Sequence, residues 1–189
     1  MSDAASQQER IDIKLLAIFD LDDLRNRYPQ PSQDPGKPTE LDSSSQSMIC
    51  TGAPGPIEGQ GTSALSFQAR RNYKLLISCT LSDMTFRGIS LILYDIGVLQ
   101  DVPFLHDFKM YSTHRELAAV PNSSDAPIIP PAYKSISTSI AVGNVYGSKN
   151  VSASVNVLLP FALYENSGFY PGQLIGYYRG SFRLDITTY

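Results

Sequence analysis

Val151-Ser-Ala-Ser-Val-Asn-Val-Leu-Leu-Pro-Phe-Ala-Leu163 is the stretch that decides the fold class. Val151, Ala153, Val155, Val157, Leu159, Phe161 and Leu163 fill every odd position, while Ser152, Ser154 and Asn156 stand between them. A period of two sends successive side chains to opposite faces, so this is a strand with one buried face. The same period recurs at Ile11, Ile13, Leu15, Ala17 and Phe19, where apolar Leu16 and Ile18 predict a second face that is partly covered. It returns at Tyr73, Leu75, Ile77, Cys79 and Leu81, and again at Phe182, Leu184 and Ile186. Shorter strands are expected at 47–51, 136–142 and 174–178, and 57–60 with 63–69 read either as two strands around Gly59–Gly61 or as one strand with a glycine bulge. The nearly continuous apolar run 89–99 reads as one buried central strand. Between residues 100 and 133 the pattern fails, apart from an irregular strand at 106–110 and a Pro/Ser/Asn loop at 121–131.

About nine or ten short strands with turn signals between them predict an all-β fold. The expected form is a two-sheet antiparallel β-sandwich, jelly-roll-like or immunoglobulin-like, with a closed barrel as the alternative. One short helix is expected after the first strand, where Asp20 or Asp22 can cap it and Arg25 and Arg27 suit its negative end. Residues 1–10 read as a disordered polar tail and 11–189 as a single sandwich domain.

Composition narrows the function. Only 17% of residues are charged, against about 25% in an average soluble domain, and the net charge is −3. Nucleic acid is not expected as a partner, because phosphate neutralisation needs clustered Lys and Arg. No apolar run reaches 18 residues and the start lacks an export signal, so no membrane span and a cytoplasmic location are expected. The two cysteines, Cys50 and Cys79, then read as buried thiols. His106 and His114 have no Cys or carboxylate at ligand spacing, and no nucleophile elbow is present. The chain is therefore expected to carry no metal, no cofactor and no catalytic set.

One long irregular stretch remains. Residues 27–50 hold Pro29, Pro31, Pro35 and Pro38, which fix φ and remove backbone donors, so no helix or central strand passes through 28–38. Two roles are open: a rigid cover closing one end of the sandwich over Tyr28, or a contact surface for another subunit or a glycan. Asp20, Asp22 and Asp42 flank it, with Asp23 and Asp34 nearby. They either cap a helix and turns or converge on calcium. Tyr177 and Tyr178, with Tyr170, are candidate ring faces for a sugar.

Tyr28-Pro29-Gln30-Pro31-Ser32-Gln33-Asp34-Pro35-Gly36-Lys37-Pro38-Thr39, preceded by the strand and acidic turn, resembles the AidA/PixA family of bacterial inclusion-body proteins. The likeness continues through Met48, Gly59-Gln60-Gly61-Thr62, Leu65 and Phe67, and returns at 172–178. The family motif residues are Tyr28, Pro29, Pro31, Ser32, Asp34, Pro38 and Thr39. Ser43 stands where family members often carry histidine, and Arg179-Gly180-Ser181-Phe182 replaces their tryptophans and Asp-Pro pair. The resemblance implies a cytoplasmic protein made in bulk under density-dependent control in host-associated bacteria, with no established enzymatic activity. The expected reading is a non-catalytic protein that forms homo-oligomers, a dimer or higher, through an edge strand or the Tyr-rich C-terminal segment. The alternative is a lectin-like module that binds a glycan.

Overall fold

The computed structural model describes residues 12–82, 88–100, 104–120, 132–146, 150–165 and 172–189. The expected tail at 1–10, the loop at 121–131 and Tyr170 lie outside the described residues. In chain order the elements are β1 (Asp12–Phe19), α1 (Leu21–Arg27), β2 (Thr39–Glu40), β3 (Gln46–Thr51), β4 (Ala64–Ala69) and β5 (Lys74–Leu81). They continue with β6 (Ile89–Leu93), β7 (Gly97–Val98), β8 (Leu105–Val120), β9 (Ala132–Val145), β10 (Ser152–Glu165) and β11 (Gln173–Thr188).

The strands form the two layers of an all-β sandwich. The first sheet runs β3-β1-β5-β9-β8; the second runs β2-β11-β10-β6, with β4 beside β11 and β7 beside β10. Most neighbours are antiparallel, but β1 pairs β5 in parallel and both β2 and β4 run parallel to β11, so the sheets are mixed. The cause is connectivity. After β1 the chain crosses to β2 in the second sheet, returns as β3, crosses again as β4 and comes back as β5. Crossovers of that length permit parallel neighbours, which tight hairpins do not.

Alternation then builds the core. Ile13, Leu15, Ala17 and Phe19 of β1 are buried between the layers with Val155, Val157, Leu159 and Phe161 of β10 and Phe182, Leu184 and Ile186 of β11. The Phe19 ring lies 4.2 Å from Phe161 and 5.9 Å from Phe182, centroid to centroid. Gly180 makes room for it, since a Cβ there would sit 2.6 Å from Phe19 Cε1.

Four strand expectations are corrected. Residues 57–60 form no strand of their own, and Glu58 makes only an isolated bridge to Ser66. Residues 89–99 are not one central strand but β6 and β7, both at the margin of the second sheet beside β10. Ile92 and Leu99 are accordingly 45% and 63% exposed. The segments 174–178 and 182–187 are one strand, β11, unbroken at Gly180. β8 extends far beyond 106–110; register shifts at His106/Lys109 and Arg115/Ala118 mark bulges, which destroy the period of two that a sequence reading relies on.

Candidate functional site

The proline loop lies along the edge of β11 that faces away from β10, and it closes that edge step by step. Gln33 Nε2 donates to the Ile175 carbonyl at 2.9 Å, and the Tyr177 N–H donates to the Ser32 carbonyl at 2.8 Å. Next β2 pairs with Tyr178 and Arg179, and the Leu41 N–H reaches the Arg179 carbonyl at 3.0 Å. Gln46 fills the next position with its side chain: Nε2 donates to the Ser181 carbonyl at 2.7 Å, and Oε1 accepts from the Ser181 N–H at 3.2 Å. The Arg183 N–H donates to the Ser63 carbonyl at 2.9 Å, after which β4 completes the edge through Thr188. A row of open N–H and C=O groups is thereby satisfied without one continuous strand.

The motif residues explain how a proline-rich segment holds this shape. The Ser32 N–H donates to Thr39 Oγ1 at 2.8 Å, and the Ser32 hydroxyl accepts from the Asp34 N–H at 3.1 Å. Asp34 Oδ1 accepts from the Gly36 N–H at 2.8 Å, and its carbonyl from the Lys37 N–H at 3.1 Å. Ser, Asp and Thr side chains are thus the local partners that the prolines remove from the backbone. Pro31 packs on the bare backbone of Gly176, where a Cβ would stand 2.5 Å from Pro31 Cγ. Tyr28 packs partly against the core, and its phenol oxygen accepts from the Asp42 N–H at 2.8 Å. Pro29 is exposed and Pro38 half-buried just before β2.

On the outer side the Tyr94 hydroxyl donates to the Pro35 carbonyl at 3.0 Å, and the Tyr94 and Tyr177 rings meet edge to face at 5.7 Å. Burial raises the Tyr94 phenol pKa, helped by Tyr177, Asp95 and Asp34; burial and then Tyr164 raise that of Tyr177. Tyr178, expected as a ligand contact, is a core residue instead: it is 2% exposed and its ring stacks on Phe161 at 5.5 Å. Its place follows from the period of two, which turns Tyr177 out and Tyr178 in.

The structure places the acidic candidates separately. Asp20 caps α1, accepting from the Asp23 N–H at 2.9 Å. Asp23 pairs with Arg27 at 2.7 Å and accepts from the Ser45 hydroxyl. Asp42 lies 3.7 Å from Arg27, and Asp22 is exposed in the first helical turn. Among the described residues no group of three His, Cys, Asp or Glu side chains is arranged to hold a metal ion. Asp20 does line a cleft of about 370 Å³ beside β3, together with Ser43, Ser47, Thr62, Ser63 and Ser82.

Two residues that carry much of this geometry, Gln46 and Gln60, were not singled out as site residues in the sequence. Gln60 covers the free edge of β3: Oε1 accepts from the Cys50 N–H at 2.8 Å, and Nε2 donates to the Cys50 carbonyl at 2.7 Å. The signal for it was its setting between Gly59 and Gly61, both at positive φ, which lets the loop turn the amide onto the strand. Cys50 and Cys79 lie on either side of β1 as free thiols. Burial pushes their pKa values up to about 11 and about 12, which suppresses the reactive thiolate.

A mixed two-layer sandwich whose central C-terminal strand is sealed along one edge by a proline-rich loop, β2 and β4 defines an all-β class of protein. The family model described as PixA, inclusion body protein, matches residues 10–186, so the chain belongs to the PixA inclusion body protein family. A crystal structure of an inclusion body protein of that family from Burkholderia cenocepacia is similar in fold, with a TM-score of 0.74 at 18% identity. The match covers 96% of this chain and 99% of that one. No curated protein matches the chain in sequence.

Proposed function

We propose that this protein is a non-catalytic, self-associating member of its family that accumulates in the cytoplasm as inclusions, in a host-associated bacterium with density-dependent production. The carrying observation is the family match over residues 10–186. Residues 11–189 act in this reading as one folding unit. Low charge supports dense accumulation, since few like charges oppose close packing. The sealed edge of β11 argues against the C-terminal segment as an edge-to-edge contact. Sedimentation velocity of the purified chain across a wide concentration range tests the proposal. Reversible oligomers are expected, and a strict monomer at the highest concentration would refute it.

A second reading, carbohydrate binding, is favoured by the cleft beside β3, which the side chains of Ser43, Ser47, Ser63 and Ser82 line with hydroxyl groups and to which Asp20 adds a carboxylate. A glycan array with and without calcium decides it; a blank under both conditions removes this reading.

A further inference from the structure

Each of the two sheets has two margins, and three of these four are capped or broken up. At the β3 margin the Gln60 side chain bonds both backbone groups of Cys50, and Met48 exchanges backbone bonds with Gly61 and Thr62. Along β11 lie the proline loop, β2 and β4, and the far side of β4 is met by Glu58, which exchanges both backbone bonds with Ser66. The margin beside β10 is discontinuous: β6 has 5 residues, β7 has 2, and β6 also comes up against β5 and β9 of the first sheet. Short strands, side-chain caps and covering loops are the usual ways of blunting an edge.

β8 is the exception. It is 16 residues long, ends the first sheet, and among the described residues has a strand partner only in β9. In an antiparallel pair alternate residues direct N–H and C=O at the partner, and the others direct both away. About half of the β8 backbone groups therefore face an unpaired margin. The bulges at His106/Lys109 and Arg115/Ala118 interrupt that margin on either side, which leaves Lys109–Arg115 as its regular stretch.

We propose that β8 pairs edge to edge with β8 of a second copy of this chain, antiparallel and about a two-fold axis, through Lys109–Arg115. Three features select that occupant. A strand margin is complementary to itself under a two-fold, so a second copy supplies the matching edge with no further component. Residues 105–120 hold Asp107 and Glu116 against Lys109 and Arg115, so two copies of β8 meet without net repulsion. The arrangement also closes, since the joined sheet runs from the capped β3 of one copy to the capped β3 of the other. The bulges limit the contact to about three or four residues of each copy, which suits reversible association rather than a fibre. This inference rests on the self-association reading and names its contact.

Amide hydrogen exchange of the native full-length chain tests this, read residue by residue at low and high concentration beside sedimentation of the same samples. Alternate amides within Lys109–Arg115 are expected to exchange freely in the dilute chain. They are expected to slow roughly tenfold where about nine chains in ten are paired, while their neighbours bonded to β9 stay slow throughout. Oligomers in which the alternate amides still exchange freely overturn the contact and leave the self-association reading standing. Protection of the whole stretch already in the monomer overturns it as well, because the margin would then be covered within one chain. A chain that stays monomeric throughout sinks both readings. Magnetisation transfer between labelled and unlabelled copies in a mixed sample then checks the symmetry: β8 to β8 is expected, and β8 to any other strand contradicts the two-fold.

Discussion

Gln46 and Ser181 are paired as two strand residues would be, except that one partner is a side chain. The Gln46 amide donates to the Ser181 carbonyl at 2.7 Å and accepts from its N–H at 3.2 Å, in a part-buried position between the two sheets. One glutamine thus ties β3 of the first sheet to β11 of the second. Replacing it with Leu keeps the bulk but strands both Ser181 groups. Each unsatisfied buried group costs about 1–3 kcal/mol, so Gln46→Leu is expected to lower unfolding stability by roughly 2–5 kcal/mol. A chemical-denaturation midpoint within error of the native chain would contradict this pairing's importance.

Gly180 sits opposite, where an added methyl would meet Phe19 Cε1 and Gln46 Oε1, each at 2.6 Å. Overpacking of this kind costs typically about 1–3 kcal/mol. Gly180→Ala is therefore expected to destabilise, and the combination Gly180→Ala with Phe19→Leu to recover part of the loss. Calorimetric midpoints of the single and double variants measure this coupling.

Alkaline pH acts on the clasp over the proline loop. The phenols of Tyr94, Tyr177 and Tyr178 all have raised pKa values relative to 10.0, chiefly through burial. A folded-state pKa above the unfolded value means stability that is intact below about pH 10 and is lost as pH climbs through the folded values. Thermal midpoints are expected to stay level on this account up to that pH and then fall. Tyr94→Phe removes one titrating group and the bond to Pro35, so it is expected to lose about 1 kcal/mol at neutral pH and to show a shallower alkaline fall. An unchanged alkaline slope would argue against the clasp.

The thiols offer a kinetic check. Raising Cys50 from 9.0 to about 11 cuts its thiolate fraction about a hundredfold at mildly alkaline pH, and Cys79 is suppressed further. Labelling by a soluble disulfide reagent at pH 8 is expected to be at least about a hundredfold slower in the folded chain than in denaturant. Rapid reaction of Cys50, which is 1% exposed, would show that its burial is not persistent.

The parts legible in the sequence were those where one physical rule acts alone. From Val151 to Leu163 a single buried face imposes the period of two, and β10 forms there. An Asp-rich turn before a short helix left Asp20 or Asp22 as its cap, and it is Asp20 that accepts from the Asp23 N–H. β8 was hidden because its bulges shift the register, and β11 appeared as two strands because Gly176 and Gly180 interrupt its apolar face. Those glycines are small for a tertiary reason, the approach of Pro31 and Phe19. Gln46 and Gln60 carry no local pattern at all; an amide that imitates a peptide group is recognised only once its partner strand is beside it.

The central claim is that the proline loop, β2, the Gln46 side chain, Ser63 and β4 together close the edge of β11, and hydrogen exchange of β11 measures it directly. The amides of Tyr177, Ser181 and Arg183 point away from β10 to the Ser32 carbonyl, the Gln46 side chain and the Ser63 carbonyl. They are expected to exchange nearly as slowly as β11 amides bonded to β10. Exchange of these three at the rate of open, unpaired amides, while those facing β10 stay protected, would contradict it.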